Sequence, residues 1–546
     1  MRPAAVREVL VLGGYGGFGG RAAVLLAEAG FAVIVAGRRL GGAQDFCARR
    51  PDLAMRPLAL DRRDGLGEEK PWLVVDAAGP FQDSDYRLPE ACIAAGCHYI
   101  DLADGRDFVC GIGRLDAAAK EAGVVVISGA SSLPALTSAV CDRLAAGLER
   151  VSAIDMALSV GNRATSGAST VRAILSYVGR PVRLWRGAAW RQGFGWQEIG
   201  KVRFSLTGRP ALRKRVALCE VPDLSLFPER YPGRPAVRFR AGTELEAENI
   251  LLWLLSWPVR WGWFKSLLGL SGIGWRLQQM VGRIGGDRSA MRVTVSGWQG
   301  EQAVRRDWTV LAERGDGLWI PALAVPLLAA KLAEGLLAGA RSAAGCLTLE
   351  DYEPAFAPLA LTAAVEESSP EPLYARIMGR DFERLPAAVR ALHLVNGDFA
   401  ASGIAEIARG RNVAARLIGR VMGFPPAGSG VPVSVWMREQ QGVETWRRDF
   451  GGSCFESRLS NRGGRLVERF GPIRFEMDLR LERNGLSMPF RRWWVGPLLM
   501  PRFLLPRGLA CEYEAEGRFH FDVPIALPLV GLLIHYKGWL IPPEEA

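Results

Sequence analysis

Val9-Leu-Val-Leu-Gly-Gly-Tyr-Gly-Gly-Phe-Gly-Gly20 decides how the first part of this chain is read. Four apolar residues make a short strand, and a glycine-rich turn then opens an amphipathic run over residues 21–29. Gly14, Gly16 and Gly19 stand at GxGxxG spacing, a weak signal alone and a strong one between a strand and a helix. In that setting Gly14 permits the tight turn, Gly16 lets backbone approach a pyrophosphate, and Gly19 lets the helix pack on the strand. Free N–H groups at the helix start, those of Gly17 and Phe18 among them, offer donors to phosphate oxygens.

Outward from this turn, apolar runs at 9–12, 31–36, 57–60, 72–76, 99–102 and 124–128 alternate with helical patterns such as 88–95 and 115–122. Near-continuous apolar strands separated by helices predict a parallel Rossmann sheet covered on both faces, spanning residues 1–145. The second strand runs into Ala36-Gly-Arg-Arg39, where NAD-binding proteins usually carry an acid for the ribose 2′-OH. Arg38 and Arg39 would instead pair with a 2′-phosphate, so NADP(H) is expected in preference to NAD(H). Asp61 ends the third strand and is placed to approach the adenine. The small residues of Asp76-Ala-Ala-Gly-Pro-Phe81 leave space at the carboxyl edge of the sheet, which assigns Ala78 and Gly79 to the nicotinamide half.

Beyond residue 145 the texture changes. Residues 146–355 read as an α+β domain with a mixed sheet, interrupted at 250–276 by an apolar insertion carrying Trp253, Trp257, Trp261, Trp263 and Trp275. That insertion suits a core between domains, a lid over an apolar substrate, or a surface that meets lipid. Residues 356–372, acidic and containing Pro370 and Pro372, read as a linker. Residues 373–546 are expected to be a helical lead-in followed by an antiparallel β domain, since Asn461-Arg-Gly-Gly464 and Asn484-Gly485 are hairpin turns between alternating segments.

Composition narrows the function classes. Net charge is +11, but the basic residues are scattered and no nucleic-acid motif accompanies them, so nucleic acid is not an expected partner. Nine cysteines without a CxxC pair, and only four histidines, argue against a metal site. An odd cysteine count with no leader-like start points to reduced thiols and a cytoplasmic location, and no apolar run reaches the ~18 residues of a spanning helix. Contact with a membrane surface stays open, as does the oligomeric state.

The residues quoted above, together with Ala91-Cys-Ile-Ala-Ala-Gly-Cys-His-Tyr-Ile-Asp-Leu102, resemble the saccharopine dehydrogenase family. The resemblance implies hydride transfer to or from an imine, enoyl or keto group of a small-molecule or lipid-like substrate. Residues 373–540 resemble a bacterial domain of unknown function, on Glu444-Thr-Trp-Arg-Arg-Asp-Phe450, Glu468-Arg-Phe-Gly-Pro472 and Gly517-Arg-Phe-His-Phe-Asp522. Segment Ser128-Gly-Ala-Ser-Ser-Leu-Pro134 lacks the Cys-Gly pattern of the amino-acid enzymes, so saccharopine itself is not the expected substrate. No catalytic residue is assigned. His98, Tyr99 and Asp101, on the fifth strand, are either a proton relay or a structural cap. A dinucleotide binder without turnover, and an apolar-ligand carrier built on the C-terminal β domain, are the alternatives to an oxidoreductase.

Overall fold

Every strand expected in the first domain forms, and all of them run parallel. They are β1 (Glu8–Leu12), β2 (Ala32–Gly37), β3 (Met55–Ala59), β4 (Leu73–Asp76), β5 (His98–Asp101) and β6 (Val125–Ser128). The computed structural model describes residues 7–162, 168–281 and 285–542. The sheet order is β6-β5-β4-β1-β2-β3, so the order reverses direction between β1 and β4 and leaves a crevice at their carboxyl ends. Val9 to Leu12 are fully buried, as strands covered on both faces require. The helix α1 (Gly17–Glu28) covers one face.

This domain does not end at residue 145. Strand Gly339–Ser342 joins β6 as a seventh parallel strand, and helix Ile320–Glu334 packs on α1. Without that strand β6 would expose an open edge. The Asp116 side chain accepts the Ala340 N–H at 2.9 Å and holds the returning segment in place.

The middle domain is a mixed seven-stranded sheet centred on Arg150–Val160, which pairs parallel with Ala236–Thr243 and antiparallel with Ser289–Gln299. The stretch 356–372, expected to be a linker, supplies its last strand. Leu361–Ser368 pairs with Gln302–Ala312 along its whole length. Its side chains are almost all exposed, so it reads polar, yet an edge strand needs only backbone partners. The Trp-rich insertion forms helices Glu246–Arg260 and Ser271–Val281. Trp253 and Trp257 are half-buried, as the core reading requires, but Trp261 and Trp263 are 58% and 70% exposed.

The C-terminal region is β-rich as expected, with one departure. Inside the expected helical lead-in, Asp398–Arg409 is a strand, set between Gly428–Gln440 and Gly531–Ile541. Its alanines and its one glutamate favour helix, but alternate side chains face the core and tertiary pairing overrides the local preference. The thirteen-stranded sheet closes on itself. Gly485–Met488 and Phe490–Val495 stand second and twelfth in the strand order, yet only Pro489 separates them in the chain. The first half of this kinked strand pairs with Ala510–Ala515 and the second with Ile473–Met477. With the nine strands between them, the ring has ten. Buried polar contacts join this barrel to the middle domain: Asn396 Nδ2 donates to Gly297 O at 2.7 Å, and Gly187 N–H donates to Asp398 Oδ1 at 2.8 Å.

Candidate functional site

The glycine turn shapes a cleft of about 770 Å³ at the carboxyl edge of the parallel sheet. Gly13, with φ of 72°, takes the left-handed turn that sequence reasoning gave to Gly14. Gly14 serves packing instead: a Cβ there would lie 2.7 Å from Val11 O. Gly19 brings helix and turn together, since its Cβ would lie 2.3 Å from Gly13 O. Gly16 and Gly17 are exposed and front the cleft with bare backbone, a Cβ on Gly17 meeting nothing within 4 Å. That is the cradle an anionic group needs at the start of α1.

Phe18, Arg38, Asp61, Ala78 and Gly79 also line the cleft. Gly14, Gly19 and Arg39 do not. Arg39 stands at the N-cap of α2 (Leu40–Ala48), and its backbone N–H donates to the Tyr15 hydroxyl at 3.1 Å. Asp61 caps a short 3-10 turn, accepting the Arg63 N–H at 3.0 Å.

Several lining residues escaped the sequence reading, Arg63, Asp83 and Asp85 among them, and four bear on the shape and charge of the cleft. Tyr15 lies over the end of β2, where a Cβ on Gly37 would come within 2.4 Å of its ring. Its signal was present: an aromatic among glycines, two residues past the turn. Arg62 reaches across to β4, where its Nε donates to Asp76 Oδ2 at 2.5 Å and its Nη1 to Ser84 Oγ at 2.8 Å, while its guanidinium covers the Phe81 ring. Asp76 is fully buried. Burial raises its carboxyl, while Arg62, the Ala78 N–H and Tyr99 pull it back down. Arg87 and Arg172 complete a basic rim, Arg172 coming from the middle-domain helix Ala168–Tyr177. Nothing local in the sequence joins residues 62, 87 and 172.

The fifth-strand candidates separate. His98 opens β5, at the edge of the sheet away from the cleft, and its Nδ1 accepts the Val125 N–H at 3.0 Å. Tyr99 is buried, with its hydroxyl 3.3 Å from Asp76 Oδ2. Asp101 accepts from the Ser128 hydroxyl and from the Gly129 and Ala103 N–H groups, and burial pushes its carboxyl up to about 7 against those donors. None of the three lines the cleft. Asp101 therefore fastens the two turns at the carboxyl edge, the cap rather than the relay.

Residues 9–127 match the saccharopine dehydrogenase NADP binding domain. The chain carries a saccharopine dehydrogenase NADP-binding domain. Residues 385–540 match a domain of unknown function, DUF4166, which covers most of the barrel. No curated protein matches the chain. Among solved structures it is similar to apo histidine-tagged saccharopine dehydrogenase (L-Glu forming) from Saccharomyces cerevisiae, at 11% identity over 66% of this chain and 100% of that one, with a TM-score of 0.44. It is also similar to GenD2 from gentamicin A biosynthesis in complex with NAD, at 16% identity over 56% of this chain and 74% of that one, TM-score 0.29. A probable dehydrogenase from Thermotoga maritima matches at 11% identity over 54% and 74%, TM-score 0.29. The site of the NADP-binding domain thus takes a nicotinamide dinucleotide. Among the described residues no cluster of His, Cys, Asp and Glu suits a metal ion, and no helix is long and apolar enough to cross a membrane.

Proposed function

We propose that this chain is an NADP(H)-dependent oxidoreductase acting on a small-molecule or lipid-like substrate with an imine, enoyl or keto group. One observation carries the reading: Arg38, with no carboxylate on the same strand end, faces the cleft that the glycine turn cradles. The bare backbone of Gly16 and Gly17 fits the pyrophosphate, Arg38 the 2′-phosphate, and Ala78 and Gly79 the nicotinamide half. The bound cofactor supplies the hydride. The protein's own part is to hold that cofactor at the crevice and fix its edge through Asp76, Arg62 and Asp101. Tyr99 and Asp101 lie outside the cleft lining, so this reading gives them no proton transfer to a substrate.

Titration calorimetry tests the cofactor. Arg38→Ala is expected to weaken NADPH roughly tenfold or more and to leave NADH unchanged, the loss of one charge-assisted pair. Equal weakening of both would overturn NADP(H). Purified protein that binds NADPH yet oxidises none across a panel of cell extracts would favour the non-catalytic binder.

A specific observation favours a membrane surface as partner. Trp261, Trp263 and Phe264 project from the turn between two helices, and Ile273, Leu277 and Met280 form an exposed apolar row on the second. From Asn249 to Gly286 there is no Asp or Glu, whereas Arg260, Lys265, Arg276 and Arg283 are cationic. Aromatic side chains flanked by cations are suited to an anionic lipid surface.

A further inference from the structure

The C-terminal barrel has more interior than its side chains fill. Eight strands make a ring just wide enough for side chains to pack, and this ring has ten. A cavity of about 90 Å³ lies inside, walled by apolar groups such as Val435, Phe450, Leu466 and Met488. Past Phe470, Phe475, Ile525 and Tyr536 it adjoins a second space of about 70 Å³. Helix Val413–Val421 roofs that second space, with Ile418 lining it together with Met422. Water entering the second space would meet almost only hydrocarbon and aromatic walls, and such voids stay dry unless an apolar guest fills them.

The first space differs, because polar groups sit in its apolar wall. Arg448 donates to the Ser457 hydroxyl at 2.8 Å and to Glu468 Oε1 at 3.3 Å, and the Ser457 hydroxyl donates to the same Glu468 oxygen at 2.7 Å. Glu512 Oε2 lies 2.7 Å from His393 Nε2, and the Tyr374 ring stacks on that imidazole. These bonds leave atoms over. Among the described residues, the second oxygens of Glu468 and Glu512 and the Tyr374 hydroxyl make no hydrogen bond, although Tyr374 is 1% exposed. None of the three atoms is sealed off, and their residues line the space, so an arrangement of this kind points to a guest that supplies partners where the wall is otherwise apolar.

We infer that the barrel binds one elongated apolar molecule whose polar end donates hydrogen bonds, an alcohol, with that end at Tyr374, Glu468 and Glu512 and its tail toward the helix Val413–Val421. The acceptors choose the head group. A carboxylate would face two glutamates, with the only lining guanidinium already engaged by Glu468. An alcohol gives its proton to a carboxylate oxygen and accepts from the Tyr374 hydroxyl. Chain length is set by the two spaces in series rather than by either one.

Displacement of the fluorescent apolar probe N-phenyl-1-naphthylamine from the full-length chain tests this. Dodecanol is expected to displace the probe at a concentration about tenfold lower than dodecanoate, a difference worth one well-made hydrogen bond. Tyr374→Phe should raise the dodecanol concentration needed at least threefold, with probe affinity unchanged. Val435→Trp, which fills the first space, should abolish probe binding, with circular dichroism confirming the fold. NADPH affinity should not change in either variant. Probe binding that neither variant affects, no binding at all, or a preference for dodecanoate would overturn the proposal. Should Val435→Trp fail to fold, the Tyr374→Phe comparison decides alone.

Discussion

A methyl group is all that separates two roles within one glycine turn. The Cβ of an alanine at position 19 would press on Gly13 O at 2.3 Å and on Ala77 Cβ at 3.0 Å, and neither is the end of a flexible side chain. Position 16 is exposed, and the nearest atom to a Cβ there is Gly13 O at 3.0 Å. Gly19→Ala is therefore expected to lower stability by about 1–3 kcal/mol, seen as a lower melting temperature. Gly16→Val should keep the circular dichroism spectrum and lose NADPH binding in calorimetry, because its side chain stands where the pyrophosphate backbone contact is made. Normal NADPH affinity in a folded Gly16→Val protein would show that this turn is not the cradle. The glycines were legible because spacing alone carries their geometry. Arg62 was not, since its partners Asp76, Ser84 and Phe81 come from another strand and the loop after it.

At the scale of elements, period and punctuation decided what could be read. The strands of the parallel sheet are continuous apolar runs ended by glycine or polar residues, and they formed within a residue or two of their expected bounds. Leu361–Ser368 and Asp398–Arg409 were hidden because local composition favours loop in one and helix in the other, while their pairing partners lie far along the chain. Strand Gly339–Ser342 is four residues long and carries no signal that it would join a sheet begun at Glu8. The Trp insertion shows the opposite limit: its helical period was clear, but period cannot say which aromatic rings stay outside. Trp261 and Trp263, being exposed, add little to stability, so Trp261→Ser with Trp263→Ser should shift the melting temperature only slightly. The same double substitution should reduce co-sedimentation with phosphatidylserine vesicles at least threefold. Raising salt should weaken binding of the unaltered chain, and neutral phosphatidylcholine vesicles should bind less. Equal sedimentation of both proteins would remove the hairpin as a membrane contact.

For the whole molecule, buried carboxyls set how stability follows pH. Asp155 of the middle sheet meets Arg238, Arg240 and, from the barrel, Arg438. Burial opposes its charge, yet the three guanidiniums hold its carboxyl well below the usual range. Its contribution is whole above pH 4 and is lost only as pH falls further. Other buried carboxyls act in the opposite sense, Asp76 among them, and four are moved far. Burial pushes Asp101, Asp223 and Glu444 up to about 7 and Asp398 up to about 6. A carboxyl raised in the fold from an unfolded value near 4 contributes stability that is complete below pH 4 and gone once pH passes its folded value. Between pH 5 and 8 Asp155 is ionised in both states and contributes no slope, so the raised group decides the sign. The melting temperature is expected to be highest near pH 4 and to fall steadily by pH 8, each carboxyl raised to about 7 contributing a loss on the order of 2–4 kcal/mol. Asp223 isolates the effect. Thr137 donates to one of its oxygens and the other has no partner, so Asp223→Asn keeps the shape and removes the charge. That variant should melt higher than the parent at pH 8, match it near pH 4, and show a shallower fall between. A parent whose melting temperature is flat from pH 5 to 8, or an Asp223→Asn protein that melts lower at pH 8, would mean that these carboxyls are ionised in the fold at no cost and that other groups govern the profile.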